Sequence, residues 1–172
     1  MDSAAEILNA SILVVDDQAA SVSLLVRMLR AAGHTSIAST TDPHEVCELQ
    51  RKNRYCLILL DLQMPGMDGF QVMEGLKAIE RDDNLPVLVI TAQPGHKLRA
   101  LQAGAKDFIS KPFDLAEVLT RVRNAWALAH IIDDLLDMSR IAKASVRTFC
   151  HTCSLASASS ERGRLRLGDS KR

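Results

Sequence analysis

Short apolar runs alternate with helical patterns along residues 11–138. Ile12-Leu13-Val14-Val15 is a continuous apolar run that ends in Asp16-Asp17. Val22, Leu25, Val26 and Leu29 follow at helical spacing, and Gly33 is placed to end that helix. Thr35 to Ala38 reads as a weak second strand, and Asp42-Pro43-His44-Glu45 as a capping box with proline at the first helical position. Cys56-Leu57-Ile58-Leu59-Leu60 has almost no polar break, as a strand buried on both faces requires. Asp68 or Gly69 opens a helix that carries Val72, Leu76 and Ile79 on one face. Pro86 to Ile90 is a fourth strand, a short helix lies around Lys97 to Gln102, and Asp107-Phe108-Ile109 is a fifth strand. Asp114 with Glu117 makes another capping box, before a helix with Leu115, Val118, Leu119, Val122 and Trp126 on one face.

This is a strand–helix unit repeated five times. It predicts an α/β fold: a five-stranded parallel sheet, doubly wound, with right-handed crossovers. Ligands in such open sheets gather at the carboxyl ends of the strands. The first strand ends at Asp16-Asp17, the third at Asp61, the fourth at Thr91, and the fifth is followed by Lys111-Pro112. Three carboxylates on one edge would repel one another unless a cation sits among them. A hard divalent ion with oxygen ligands meets that need, and Mg2+ is the usual choice in the cytoplasm. With Lys111 as a second positive charge and Thr91 as a donor, the edge suits phosphoryl chemistry, which depends on positioning and charge neutralisation. A carboxylate can serve as nucleophile, and Asp61, on the central strand, is the candidate.

These residues carry a resemblance. Val15-Asp16-Asp17, Leu60-Asp61-Leu62-Gln63-Met64-Pro65-Gly66-Met67-Asp68-Gly69, Thr91-Ala92 and Lys111-Pro112-Phe113 stand in the order and spacing of a response-regulator receiver domain of the CheY-like, flavodoxin-like type. The likeness covers about residues 10–128. It implies that Asp61 accepts phosphate from a sensor histidine kinase or histidine phosphotransfer protein. It further implies that Asp16, Asp17, Asp61 and the Gln63 backbone carbonyl bind Mg2+, and that Thr91 and Phe108 switch. Lys111 would pair with the phosphate, and the Lys111-Pro112 bond would be cis. Phe108 has two readings, a core aromatic or a switch. The stretch from Thr91 to Asp114 is also similar to receivers found beside cyclic-dinucleotide phosphodiesterase domains and in hybrid kinases.

Charge divides the chain. Residues 1–138 carry 13 Lys and Arg against 19 Asp and Glu, whereas residues 139–172 carry 8 against 2. The expected organisation is an N-terminal segment at 1–9, a receiver at 10–128, a helical extension at 129–141 and a basic Ser/Arg-rich disordered tail at 142–172. From the end of the receiver into the extension, Leu128, Ile131, Ile132, Leu135 and Leu136 form an apolar stripe that suits a homodimer contact. Ile131 to Ile141 resembles the second dimerisation helix of a histidine kinase, without the first helix or any ATP-binding motif. The alternatives are therefore a truncated hybrid-kinase fragment or a pseudo-receiver scaffold. A phosphatase using an aspartyl phosphate is a third; many such enzymes have an aspartate two residues after the nucleophile, where this chain has Gln63.

The rest narrows the classes. Aromatic residues are 3% of the chain, so the core is aliphatic and a base-stacking platform for nucleic acid is not expected. No stretch has the length of apolar residues that a membrane helix needs, the start lacks a basic signal region, and four scattered cysteines suit a reducing cytoplasm. Cys150-His151-Thr152-Cys153 lacks the second ligand pair of a zinc site. Cys47 and Cys56 read as buried, and His34, His44 and His96 as exposed.

Overall fold

The fold comes from a computed structural model, which describes residues 7–79 and 85–129. Five strands form one parallel sheet: β1 (Ile12–Val15), β2 (Ile37–Thr40), β3 (Leu57–Asp61), β4 (Val87–Thr91) and β5 (Asp107–Ser110), in the order β2-β1-β3-β4-β5. The helices between them are α1 (Ala19–Ala31), α2 (Val46–Asn53), α3 (Gly69–Ile79) and α4 (Pro94–Gln102). A last helix, α5, covers residues 115–129 of the described chain.

The strands alternate their side chains between two apolar layers. Leu13, Val15, Ile58, Leu60, Val87 and Val89 pack with Val46, Phe70, Val72, Met73 and Leu76. Ile12, Val14, Leu57, Leu59, Leu88, Ile90 and Ile109 pack with Leu25, Leu29, Val118 and Val122 on the other face. Thus α1 and α5 cover one face, and α2 and α3 the other. Burial on both faces is why β1, β3 and β4 read as unbroken apolar runs. At roughly 25 cal/mol per Å2, burial of each such side chain is worth about 1.5–3 kcal/mol.

The structure corrects several expectations. The second strand is Ile37–Thr40, two residues later than Thr35–Ala38, because the edge strand aligns Ile37 with Ile12 of β1. Thr35 instead joins residues 7–9 through its backbone N–H and hydroxyl, which bond to the Leu8 carbonyl. Neither predicted capping box closes as a reciprocal pair. Asp42 accepts from the His44 N–H, but Glu45 bonds to the Thr40 hydroxyl, and residues Pro43–Glu45 form a 3-10 turn before α2. Asp114 accepts from the N–H groups of Ala116 and Glu117. The reciprocal box lies at the start of α3, where Asp68 and Gln71 exchange backbone-to-side-chain bonds of 2.9 and 3.0 Å. Cys56 is exposed and Cys47 half-buried. His34 is buried and His96 half-buried, whereas Trp126 is buried as its place on the apolar face of α5 requires, packed with Ile7 and Ala10. Leu115 is 41% exposed, outside the helix face assigned to it.

Candidate functional site

The strand order reverses direction between β1 and β3, which opens a crevice at their carboxyl ends. Asp16 and Asp17 follow β1, and Asp61 is the last residue of β3. One carboxylate oxygen from each lies within 4.8 Å of the others. Asp16 is fully buried and Asp61 nearly so. The Lys111 ammonium, which follows β5, reaches back across the edge to Asp16 Oδ2 at 2.9 Å and Asp61 Oδ2 at 3.2 Å. Four residues from three separate strand ends therefore meet in one hollow. The Lys111-Pro112 peptide bond, just beyond β5, is cis.

One ammonium does not complete this cluster. Asp17 Oδ1 and Asp61 Oδ1 are buried and have no hydrogen-bond partner among the described residues. Burial pushes the Asp61 carboxyl above its ordinary range; the Lys111 charge opposes that shift, and the Asp16 charge adds to it. Burial works against the Lys111 ammonium, yet its bond to Asp16 and the charge of Asp61 together hold it above the usual lysine range. The donor set is all oxygen, anionic and crowded, which fits a hard divalent cation. Asp16 Oδ1 accepts from the Gln18 backbone N–H at 2.9 Å, which fixes the first carboxylate in the turn.

The other predicted residues sit as follows. The Gln63 side chain is exposed, and its backbone N–H is a minor influence that favours the Asp61 carboxylate. Thr91, fully buried at the end of β4, does not bond to Asp61: its hydroxyl accepts from Gln93 N–H at 3.1 Å and donates to the Gln93 carbonyl at 3.4 Å. Phe108 is half-buried on β5 and lies outside the apolar clusters of the described residues. Its ring lies near two cations, with Lys97 Nζ 4.6 Å and the Arg121 guanidinium carbon 5.5 Å from the centroid.

One contributor escaped the sequence reading. Gly69 lies against the end of β3: a Cβ there would stand 2.5 Å from the Asp61 carbonyl oxygen. Its N–H donates to the Leu62 carbonyl at 3.1 Å. The signal was present in Asp68-Gly69, but helix start and close approach are indistinguishable in one sequence. Away from this edge, by the amino ends of β1 and β2, His34 is buried; burial lowers its pKa below the ordinary 6.5, and the Ile7 carbonyl opposes that shift.

A family model described as the response regulator receiver domain matches residues 12–123. Among curated proteins, the response regulator PleD of Caulobacter vibrioides is 37% identical over 130 residues, 74% of this chain and 28% of PleD. The chain thus spans little more than a quarter of that relative. Among solved structures, the receiver domain of Francisella response regulator 1452 superposes with a TM-score of 0.62 at 26% identity, over 69% of this chain and 98% of that one. The receiver domain of sensor histidine kinase PA1611 from Pseudomonas aeruginosa gives 0.63 at 27% identity, over 69% and 98%. That receiver carries a magnesium ion coordinated in its active-site cleft. These matches do not support the likeness of residues 131–141 to a kinase dimerisation helix, and that segment lies outside the described residues.

Proposed function

The chain belongs to the response regulator receiver domain family of two-component systems, and from that premise we propose that it is a Mg2+-dependent phosphoacceptor whose acceptor is Asp61. The convergence of Asp16, Asp17, Asp61 and Lys111, with two buried carboxylate oxygens left unbonded, is the observation that carries this reading. Asp16, Asp17, Asp61 and the Gln63 backbone carbonyl are the residues that would hold Mg2+. When bound, the ion neutralises the carboxylates and the incoming phosphoryl oxygens.

The chain's own residues do the rest. An Asp61 carboxylate oxygen forms the new bond to phosphorus as the bond to the donor's histidine nitrogen breaks, and that nitrogen keeps the electron pair. Lys111 stands beside Asp61 to balance the charge that arrives, about −1.5 to −2 for a phosphate ester near neutrality. Thr91 then exchanges its Gln93 bonds for the phosphoryl group, and Phe108 follows. The donor is a sensor histidine kinase or a histidine phosphotransfer protein, and the output is altered partner contact rather than turnover. The module reading is favoured over the phosphatase by the exposed amide of Gln63, which cannot serve as a general acid or base where such enzymes carry an aspartate. It is favoured over the pseudo-receiver by the completeness of the hollow.

Leu128 is 55% exposed at the end of the described helix, and the apolar stripe continues in sequence through Ile131, Ile132 and Leu135. A homodimer along this stripe is part of the proposal; mass measured with and without beryllofluoride tests it, and a monomer in both states refutes it. The phosphoacceptor assignment is tested with a small labelled phosphodonor in Mg2+. Wild type takes up label and Asp61→Asn does not; undiminished labelling of the variant overturns the assignment.

A further inference from the structure

Among its described side chains, α4 has one buried residue, Ala100. Leu98 and Leu101 face outward, 67% and 41% exposed. An apolar seat this thin does little to fix the helix. What flanks it is different. Arg99 lies over the Phe70 ring of α3, its guanidinium carbon 4.1 Å from the centroid. His96 meets the same ring edge-on, with centroids 6.1 Å apart. Lys97 lies over the Phe108 ring of β5 at 4.6 Å. Residues 97 and 99 point about 200° apart around a helix, so the two cations grip aromatics on opposite flanks of α4.

The position of α4 bears directly on Thr91. The Thr91 hydroxyl is bonded at both ends to the Gln93 backbone, and Gln93 is the residue before α4. For that hydroxyl to turn toward Asp61, the Gln93 bonds must break, which releases the backbone at the entry to α4. Anything that holds α4 in place therefore opposes the turn.

We infer that Lys97 and Arg99 are positioning residues that hold α4 between Phe70 and Phe108 and so set how readily the chain leaves its phosphate-free conformation. The inference rests on the phosphoacceptor reading above. Each cation–π contact, at this degree of exposure, converts to about two- to fivefold in an equilibrium constant. A contact made in only one of two states shifts apparent ligand affinity by the same factor while that state dominates.

The test is a beryllofluoride titration in Mg2+, read by calorimetry on the full chain, with label uptake from a phosphodonor measured beside it. Arg99→Gln and Lys97→Gln should each lower the half-saturating concentration about two- to fivefold. The double variant should lower it by about the product, since the contacts lie on opposite flanks and share no partner. Arg99→Lys and Lys97→Arg keep a cation over each ring and should restore wild-type half-saturation, which a generic loss of packing would not allow. Arg99 is exposed and Lys97 half-buried, so neither glutamine variant opens the core. Half-saturation unchanged or raised in both glutamine variants, with label uptake intact, overturns the inference and leaves Asp61 as acceptor. Wild type that binds no beryllofluoride and takes up no label overturns the phosphoacceptor reading, and this inference with it.

Discussion

Lys111→Met removes one positive charge from the hollow and keeps the length and most of the apolar stem of the side chain. The ammonium it removes sits 2.9 Å from Asp16 Oδ2 and 3.2 Å from Asp61 Oδ2, and these carboxylates are 0% and 2% exposed. At an effective dielectric constant of about 20, each contact is worth roughly 5 kcal/mol before desolvation is counted. Desolvation of the three ions offsets much of that. Removing one member of a buried pair nonetheless costs about 3–5 kcal/mol, because the remaining charge is left uncompensated. The Lys111 side chain is 20% exposed, which lowers the expected loss to about 2–3 kcal/mol in the metal-free chain. For a fold of this size that is a fall in Tm of roughly 8 °C.

The same geometry predicts rescue. Lys111 and a divalent ion draw on the same carboxylates, so the variant should bind Mg2+ more tightly, by about fivefold if only 1 kcal/mol of repulsion is relieved. Mg2+ should therefore stabilise the variant more than wild type, and the gap between them should narrow. Sodium chloride at equal ionic strength should leave the gap in place, since screening of buried charges is weak. The pH dependence has a definite sign. Burial holds Asp61 above its ordinary 3.8, so the folded chain binds a proton that the unfolded chain has already released. That contribution is present below 3.8 and is lost as pH rises through the raised value. The variant, without the opposing ammonium, should show the loss more steeply. Denaturant titrations of both proteins, with and without Mg2+, supply every number needed. A variant within 0.5 kcal/mol of wild type without metal, or a gap that Mg2+ leaves unchanged, refutes the reasoning.

Three further outcomes follow from single sites. His34 is buried with its pKa lowered by burial, against the pull of the Ile7 carbonyl; the unfolded chain therefore takes up the proton first, and stability, complete above about 6.5, should fall as pH drops toward the depressed value. His34→Gln should flatten that slope between pH 5 and 7 in thermal melts, and an unchanged slope refutes the role. Gly69→Ala places a Cβ 2.5 Å from the Asp61 carbonyl oxygen and 2.9 Å from Leu62 Cα; both are backbone, so the start of α3 must move, at about 1–3 kcal/mol, and label uptake should slow, whereas normal stability and uptake would show that the approach is not needed. Arg54 closes α2 with φ 52°; Arg54→Gly should stabilise by about 0.5–1 kcal/mol in urea denaturation, and a loss would mean that the arginine side chain holds something there.

What the sequence made legible depended on whether the information was local. The apolar runs of β1, β3 and β4 are visible because a parallel strand buried on both faces has no polar positions to interrupt it. The acids and the lysine were legible as a group because each stands at a strand end, and a parallel sheet brings strand ends together whatever lies between them. The edge strand β2 was misplaced by two residues, since one half-covered strand carries a weak pattern and its register is set by its pairing with β1. Burial of His34 was hidden for a related reason: residues 7 and 8 come back beside it, and nothing near His34 in sequence announces that contact. Phe108 shows the limit most directly. An aromatic on a short strand is equally consistent with core and switch, and the sequence does not show that its ring lies outside the apolar layers, near Lys97 and Arg121. Those cations come from the helices on either side of β5, so the restraint on the ring belongs to the packed molecule. The chemistry of the hollow follows from residue identity and topology, whereas the ease of switching follows from cross-helix contacts that no local pattern encodes. Substitutions at Asp61 or Lys111 should therefore act on whether phosphate is accepted, and substitutions at Lys97 or Arg99 on how far acceptance moves the fold.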